Sequence, residues 1–208
     1  MAVQTPVVVT GATEGIVDEA VIRRLVREVG AEAGPVHGKN GKSHLRKHIN
    51  GYNNAAQFSP WIVLVDLDQE AECAPPLRSD WLTTPAQYMC FRIAVREVEA
   101  WLLADRENIA KFLGVAVSRI PSDVETLQNP KETIVNLASE SRRRDIREDM
   151  VPRRASGRPI GPAYASRLIE FAEKVWAPRR AAKQSDSLTR SIECLKNSIT
   201  EYARSMET

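Results

Sequence analysis

Short runs of apolar residues predict buried β-strands in the first half of the chain. Val7 to Thr10 is a β-branched run that ends at Gly11, and Trp61 to Val65 is apolar at every position. Continuous apolar runs of this length are typical of strands that are buried on both faces of a parallel sheet. Tyr88 to Val95 is predicted to be a third strand.

Apolar residues at intervals of three and four predict helices between and after these strands. Ile16 to Val29 has this spacing, and Gly30 is a stop signal. A further helix is predicted from near Arg96 through Leu103, and another from Asn129, where Pro130 and Glu132 make a typical start. The last predicted helices are Tyr164 to Trp176 and one with a core-facing stripe at Leu188, Ile192, Leu195, Ile199 and Tyr202.

Two segments lack a clear period and are predicted to be irregular. Gly34 to Asn54 is rich in Gly, Asn, Lys and His and predicts a loop, or a loop with a short helix around Ser43 to Ile49. Arg153 to Pro162 contains two glycines and two prolines. The expected fold is therefore α/β: a mostly parallel sheet flanked by helices over residues 1–115, and a helical C-terminal section over 116–208 packed on that core, with a basic loop at 142–162.

Length and composition fit a globular protein with a real core. The chain has 208 residues, of which 43% are hydrophobic and 27% are charged. No apolar run is long enough to cross a bilayer and the N-terminus lacks the features of a signal peptide, so we expect a cytoplasmic protein without a membrane partner. Cys73, Cys90 and Cys194 form no CxxC pair and are expected to be reduced thiols.

Basic residues are concentrated in two stretches, although the net charge is only +2. The segment from Ala33 to Val65 has no acidic residue. Local positive fields of this kind attract polyanions, and the alternative is a solvated basic surface. The residues predicted to bind a nucleic-acid backbone are Lys39, Lys42, Arg46 and Lys47 in the first stretch and Arg142, Arg143 and Arg144 in the second.

Acidic side chains follow two of the predicted strands. Glu14 comes shortly after the first strand, and Asp66 and Asp68 come directly after Val65. Ligands of open parallel sheets bind outside the carboxyl ends of the strands, and carboxylate oxygens are ligands that Mg²⁺ prefers. A divalent-metal site is therefore one prediction. The alternative is that these acids are loop residues or helix caps, with Thr13 as N-cap and Glu14 as a favourable first-turn charge.

The combination of these acids resembles the Toprim (topoisomerase–primase) domain, which also has a Glu-Gly after its first strand and an Asp-x-Asp after a later buried strand. The resemblance implies that Glu14 acts as general acid or base. It also implies that Asp66 and Asp68 hold Mg²⁺ (or Mn²⁺) for breaking or joining phosphodiester bonds. The match departs from the family at Gly11 and Ala12, where an apolar strand residue is more usual, and no matching glycine follows the Asp-x-Asp.

Two further segments are similar to a group of uncharacterised bacterial Toprim-like proteins, often associated with ATPases and mobile-element defence. They are Glu99 to Asp105 and Asn129 to Glu132, and the similarity spans approximately Val7 to Leu137. Residues two apart on a helix point roughly 200° apart, so Glu97 and Glu99 cannot both face the metal. The match favours Glu99 as the third ligand; the alternative is an ion pair between Glu99 and an arginine such as Arg92.

These observations predict a metal-dependent nuclease that acts on DNA or RNA, in a defence or mobile-element complex. One alternative is a catalytically silent subunit of an ATPase-containing complex, which would use the arginine run and the C-terminal apolar stripe as partner surfaces. A second is a small-molecule phosphatase or nucleotidyl transferase with the same acids. The sequence is also compatible with a homo-oligomer.

Overall fold

Four parallel strands form the centre of the protein, whose computed structural model describes residues 6–69 and 72–207. The strands lie in the order β2-β1-β3-β4, and each neighbouring pair is parallel. Their bounds are β1 Val8–Thr13, β2 Glu32–Gly38, β3 Trp61–Asp66 and β4 Met89–Ala94. The predicted fold class is confirmed: an α/β protein with a parallel sheet flanked by helices and a helical C-terminal section.

Ten α-helices follow or connect the strands within the described residues. They are α1 Ile16–Glu28, α2 Lys42–Ala55, α3 Ala74–Trp81, α4 Val98–Leu103, α5 Arg106–Leu113, α6 Pro130–Ser139, α7 Arg144–Met150, α8 Tyr164–Lys174, α9 Pro178–Ala181 and α10 Asp186–Met206. The predicted helices α1, α4, α6, α8 and α10 are confirmed. Among these helices, none is long and apolar enough to span a lipid bilayer.

The strand register places the carboxyl ends of β1 and β3 side by side. Thr13, the last residue of β1, pairs with Leu64 of β3 on one side and with Gly38 of β2 on the other. The chain leaves β1 through α1 toward β2, whereas β3 lies on the opposite side of β1. This divergence is a topological switch point, the place in an open parallel sheet where ligands bind.

Helices cover both faces of the sheet and divide the core into two clusters. On one face, α1, α4, α5, α6, α8 and α10 bury side chains such as Leu25, Trp101 and Phe171. On the other face, α2 and α3 bury Leu45 and Trp81 against the sheet. Residues Trp61 to Val65 of β3 alternate between the two clusters, which explains why all five are apolar.

Helix α10 packs on β4, the edge strand of the sheet. Its residues Leu188, Ile192 and Leu195 are buried in the larger cluster. The hydroxyl of Ser198 donates a 2.9 Å hydrogen bond to the carbonyl of Tyr88, just before β4. The apolar stripe of this helix is therefore part of the core, and its use as a partner surface in the interaction-subunit hypothesis is wrong.

The segment Gly34 to Asn54, predicted to be a loop with at most a short helix, instead contains most of β2 and nearly all of α2. In β2, Pro35 has no N–H to donate, and proline is tolerated mainly on edge strands. The strand pairing is irregular at this point. Between the pairs Val9–Ala33 and Gly11–Val36, β1 advances two residues and β2 advances three. The strand signal is weak because pairing with β1, and not local preference, stabilises β2.

The second basic stretch also contains more regular structure than expected. Residues 144–150 of the predicted loop 142–162 form α7, whose Ile146 and Met150 are buried against the C-terminal helices. Residues 153–162 contain no helix or strand, as the glycines and prolines predict. Arg142, Arg143 and Arg144 therefore lie on α7 or just before it, whereas Arg153, Arg154 and Arg158 lie in the irregular part.

Candidate active site

Glu14 and Asp66 meet at the carboxyl ends of β1 and β3. The backbone N–H of Asp66 donates a 2.9 Å hydrogen bond to Glu14 Oε1. Since Glu14 comes directly after β1 and Asp66 is the last residue of β3, this bond joins two adjacent strand ends at the switch point. The structure therefore brings together these two acids, as their positions after the strands predict.

The side chain of Asp66 also reaches the start of α4. Its Oδ1 accepts a 2.9 Å hydrogen bond from the backbone N–H of Val98, the first residue of that helix. This N–H has no partner within the helix, so the carboxylate satisfies a donor that the helix leaves open. The bond fixes Asp66 between β3 and α4.

Asp68 lies beyond a sharp bend in the backbone after β3. Its φ of 52° is in the left-handed region, which aspartate enters more readily than most residues. The bend is held by two bonds with Arg96: Asp68 N–H donates to the Arg96 carbonyl at 2.8 Å, and Arg96 Nη1 donates to the Asp68 carbonyl at 2.9 Å. The Asp68 carboxylate then forms a 2.5 Å ion pair with Lys42 Nζ, at the start of α2.

Glu97 and Glu99 share Lys131, the second residue of α6. Glu97 accepts bonds from Lys131 Nζ at 3.0 Å and from the Lys131 backbone N–H at 2.9 Å, while Glu99 Oε1 lies 3.7 Å from the same Nζ. The premise that Glu97 and Glu99 lie two residues apart on one helix is wrong. Glu97 precedes α4 in an extended conformation, with φ −144°, so the helical angle does not apply to it.

Buried Glu99 has a second partner on α8. The hydroxyl of Tyr164 donates to Glu99 Oε1 at 3.3 Å. Glu99 therefore forms an ion pair, which was the alternative to a metal ligand, but its partner is Lys131 and not Arg92. The Nε of Arg92 donates instead to the Ser191 hydroxyl. Burial and the neighbouring Glu97 and Asp18 raise the pKa of Glu99 to about 7 although Lys131 opposes the shift.

Burial and repulsion between carboxylates also act on Glu14 and Asp66. Desolvation is the main cause that raises the pKa of Glu14 to about 7; Asp68 and Asp18 raise it further, while the Asp66 N–H and Lys42 lower it. The pKa of Asp66 is raised well above its ordinary value, first by desolvation and then by Asp18, Glu99, Glu14 and Asp68. Negative charge in this cluster therefore exceeds what Lys42 and Lys131 neutralise.

Asp18, Lys42 and Lys131 also belong to the site, although none of them was predicted to be a metal ligand or a catalytic residue. Asp18 is buried in the first turn of α1, where its Oδ2 accepts a 2.7 Å hydrogen bond from the Gly15 N–H. Its position one turn after the Glu-Gly is a local signal of capping. No local signal identifies Lys131, because only the packing of α6 beside α4 brings it to the glutamates.

The two basic stretches lie in different parts of the fold. The first extends from the end of β2 into α2, beside Asp68, and the second extends from the end of α6 into α7. Most of the predicted nucleic-acid-binding residues form ion pairs on the protein surface: Lys39 with Glu19, Arg46 with Asp80, Arg143 with Asp145 and Arg144 with Glu148. Lys47 and Arg142 form no ion pair with a described residue.

The chemistry of the cluster suits a hard divalent cation, because its carboxylates offer oxygen ligands and lie close enough together to repel one another. Over residues 6–69 and 72–207, however, no three His, Cys, Asp or Glu side chains are arranged as the ligands of one metal ion. The cation nearest to Asp68 is instead the ammonium group of Lys42.

Comparison with known proteins adds no relative: neither a protein-family model, nor a curated protein, nor a solved structure matches this chain.

Proposed function

We propose that the protein is a Toprim-like nuclease of the cytoplasm that hydrolyses phosphodiester bonds of DNA or RNA with the help of Mg²⁺ or Mn²⁺. The observation that carries this proposal is the contact between Glu14 and Asp66 at the switch point of a parallel sheet. Around this contact, burial raises the pKa values of both carboxyl groups and neighbouring carboxylates raise them further, as at sites that bind a cation or transfer a proton.

Asp66 and Asp68 would hold the cation, with Glu99 as the third acidic group. The bound cation would neutralise charge on the scissile phosphate and favour attack by water. Asp66 is already oriented by the Val98 N–H, and Glu99 by Tyr164 and Lys131. These second contacts fix the carboxylates before a substrate arrives, which reduces the reorganisation that the reaction requires.

Glu14 is suited to move a proton. A carboxyl group with a pKa of about 7 is present in both protonation states near neutral pH, so it can accept a proton from water or donate one to the leaving oxygen. Lys42, which pairs with Asp68 and lowers the pKa of Glu14, would contact a phosphate oxygen of the substrate. These residues give the protein both a proton carrier and a cationic group at one edge of the sheet.

The basic residues would bind the nucleic-acid backbone without reading its sequence. Lys39, Lys42, Arg46 and Lys47 lie beside the acidic edge, so they are placed to position a strand entering it. Arg142, Arg143 and Arg144 would form a second contact on the C-terminal helices. Surface ion pairs such as Arg46–Asp80 contribute little stability, so exchanging a carboxylate for a phosphate costs little.

The test is a cleavage assay with labelled single- and double-stranded DNA and RNA, in millimolar Mg²⁺ or Mn²⁺ and in EDTA. We expect metal-dependent cleavage by the wild type and a loss on the order of 100-fold or more in Glu14→Gln and Asp66→Asn. Asp80→Asn is the matched control, because Asp80 is exposed and pairs with Arg46 away from the cluster. Failure of the wild type to cut any of these substrates, or equal cutting by the Asp66→Asn variant, would overturn the proposal.

One observation favours a second candidate, a catalytically silent subunit of an ATPase-containing complex. Lys42 and Lys131 already form ion pairs with Asp68, Glu97 and Glu99, so the cluster is partly neutralised without a metal. Metal-dependent thermal stability separates the candidates, because a ligand that binds only the native state must stabilise it. Stabilisation that Asp66→Asn abolishes supports the nuclease, and no stabilisation in the wild type favours the silent subunit.

A further inference from the structure

A cleft of about 340 Å³ lies at the β4 edge of the sheet, between α3, β4 and α10. Three arginines line it: Arg78 from α3, Arg92 from β4 and Arg190 from α10. The volume is within the range typical of small-molecule sites. None of the carboxylates assigned to the metal lines this cleft, so it is a separate feature of the molecule.

Two of the three arginines have no carboxylate partner among the described residues. Arg78 forms no side-chain hydrogen bond or ion pair with them, and Arg92 bonds through Nε to the Ser191 hydroxyl at 3.3 Å. The other arginines of the described residues differ in this respect: Arg144 pairs with Glu148 and Arg167 with Asp149, whereas Arg27 and Arg142 also form no ion pair with a described residue. Two guanidinium groups that face one cavity without acidic partners repel each other, and an anion between them removes that repulsion.

Three carboxylates also line the cleft, so its formal charges balance, but two of them already have other partners. Glu125 Oε1 accepts bonds from the Ser185 hydroxyl, the Ser187 hydroxyl and the Ser187 N–H, at 2.6 to 2.9 Å. Asp186 pairs with Arg190 at 2.8 Å. The remaining carboxylate of the lining, Glu72, is exposed, as Arg78 is, and forms no ion pair with a described residue.

The positive field reaches a nearby thiol. A hydrogen bond from the Cys90 thiol is the main cause that lowers the pKa of Cys194 to about 7. Against desolvation, the charges of Arg92 and Arg78 lower it further. Both guanidinium groups therefore act on the same small region beside β4, although they come from elements that are separate in sequence.

The lining has both charged and apolar side chains, which suits a ligand with one charged end and one apolar end. Ala74, Pro75, Ile93 and Val95 provide apolar surface, and Ser79 adds a hydroxyl. A guanidinium group binds a phosphate by two parallel hydrogen bonds, and the apolar side chains can contact a flat ring. We propose that the cleft binds a small phosphate monoester with an aromatic body, the chemical class to which nucleoside monophosphates belong.

The test is isothermal titration calorimetry of the intact protein with AMP, adenosine and inorganic phosphate. EDTA is present throughout, so that the result does not depend on the acidic cluster or on nuclease activity. AMP is expected to bind, adenosine to bind at least 10-fold more weakly, and inorganic phosphate to bind more weakly than AMP. Arg92→Lys keeps the charge but loses the bidentate geometry, and is expected to weaken AMP binding several-fold.

Arg78→Ala is a second test of the proposal, because Arg78 is exposed and its removal breaks no side-chain hydrogen bond or ion pair among the described residues. AMP binding is expected to weaken at least 10-fold in this variant. Arg144→Ala is the matched control: Arg144 is also exposed, on α7, and its loss should leave binding unchanged. No binding of AMP by the wild type, equal binding of adenosine, or equal binding of AMP by Arg78→Ala overturns the proposal.

Discussion

The backbone N–H of Asp66 donates a 2.9 Å hydrogen bond to Oε1 of Glu14. The two residues are 52 positions apart in sequence, and the bond joins the ends of two adjacent strands. Around it, Asp18, Asp68 and Glu99 raise the pKa of Asp66. The bond thus holds two acids together in a place where their charges repel. Without a bound cation or a proton, this repulsion destabilises the folded state, and the destabilisation can be measured.

The stability of the metal-free protein should depend on the ionisation of Glu14. Its pKa in the folded state is about 7 against an ordinary value of 4.5, so the folded state holds the proton more tightly than the unfolded chain does. The stability from this group is present below the ordinary value and is lost as the pH rises through about 7. We expect a loss of roughly 1 to 2 kcal/mol, since partial exposure of the carboxyl group reduces the effect.

Urea denaturation in EDTA, at about pH 5 and about pH 8, measures this loss. In Glu14→Gln the difference between the two pH values should be smaller by that amount, while Asp80→Asn, which changes an exposed carboxylate, should follow the wild type. A difference of the same size in Glu14→Gln and the wild type would show that Glu14 carries no such charge penalty.

Mg²⁺ should stabilise the wild type, because a cation reduces the repulsion between the carboxylates. A ligand at about 100 times its dissociation constant stabilises the native state by about 2.7 kcal/mol. We expect the midpoint of thermal unfolding to rise with Mg²⁺ or Mn²⁺ in the wild type and in Asp80→Asn, and to stay constant in Asp66→Asn. An equal rise in all three proteins would place the cation elsewhere.

Removal of Lys131 should destabilise the fold by leaving two glutamates without their shared cation. Glu99 is buried, so its charge is costly when Lys131 is lost; Lys131 itself is partly exposed, which limits the effect of Lys131→Met to roughly 1 to 3 kcal/mol. The loss should be larger at pH 8 than at pH 5, because Glu99, with a pKa of about 7, is protonated at the lower pH.

Lys174→Met is the control for this experiment. Lys174 is exposed and lies 3.7 Å from Glu170, the distance that also separates Lys131 from Glu99. Chemical denaturation should show a change of less than about 0.5 kcal/mol for this variant at either pH. Similar losses in both variants would mean that burial of Glu99 does not determine the effect.

The reactivity of Cys194 should report the charge of Arg92. Arg92 helps to lower the pKa of this thiol to about 7, so about half of it is thiolate at neutral pH. In Arg92→Gln the rate of alkylation of Cys194 at pH 7 should fall several-fold, whereas above about pH 9.5 the two proteins should react alike. Peptide mass spectrometry separates Cys194 from exposed Cys73. Unchanged reactivity at pH 7 would exclude an influence of Arg92.

The parts of the fold that local pattern determines could be predicted from the sequence. β3 is apolar from Trp61 to Val65 because helices cover both faces of the sheet, and the end of this apolar run indicated where Asp66 lies. β2 was missed, because its Gly34 and Pro35 give little strand preference and pairing with β1 holds it. A Cβ at Gly34 would lie 2.9 Å from Val8 Cγ1, so close strand packing requires glycine at that position.

The acidic residues of the site were easier to predict than the lysines that form ion pairs with them. Glu14, Asp66 and Asp68 follow strands, so their place in the chain indicates the edge of the sheet where they lie. Lys131 reaches Glu97 and Glu99 only through the packing of α6 on α4, and no spacing in the sequence indicates this contact. The helical angle does not separate Glu97 from Glu99, since the helix begins one residue after Glu97, at Val98.

Diffraction from a crystal soaked in Mn²⁺, recorded for its anomalous signal, tests the central claim most directly. The proposal predicts an anomalous peak at the switch point, within coordination distance of the Asp66 and Asp68 carboxylates and close to Glu14, with Lys42 displaced from Asp68. A crystal of Asp66→Asn should lose the peak. The contrary result is no peak at this edge of the sheet in the wild type, with the Lys42–Asp68 ion pair intact.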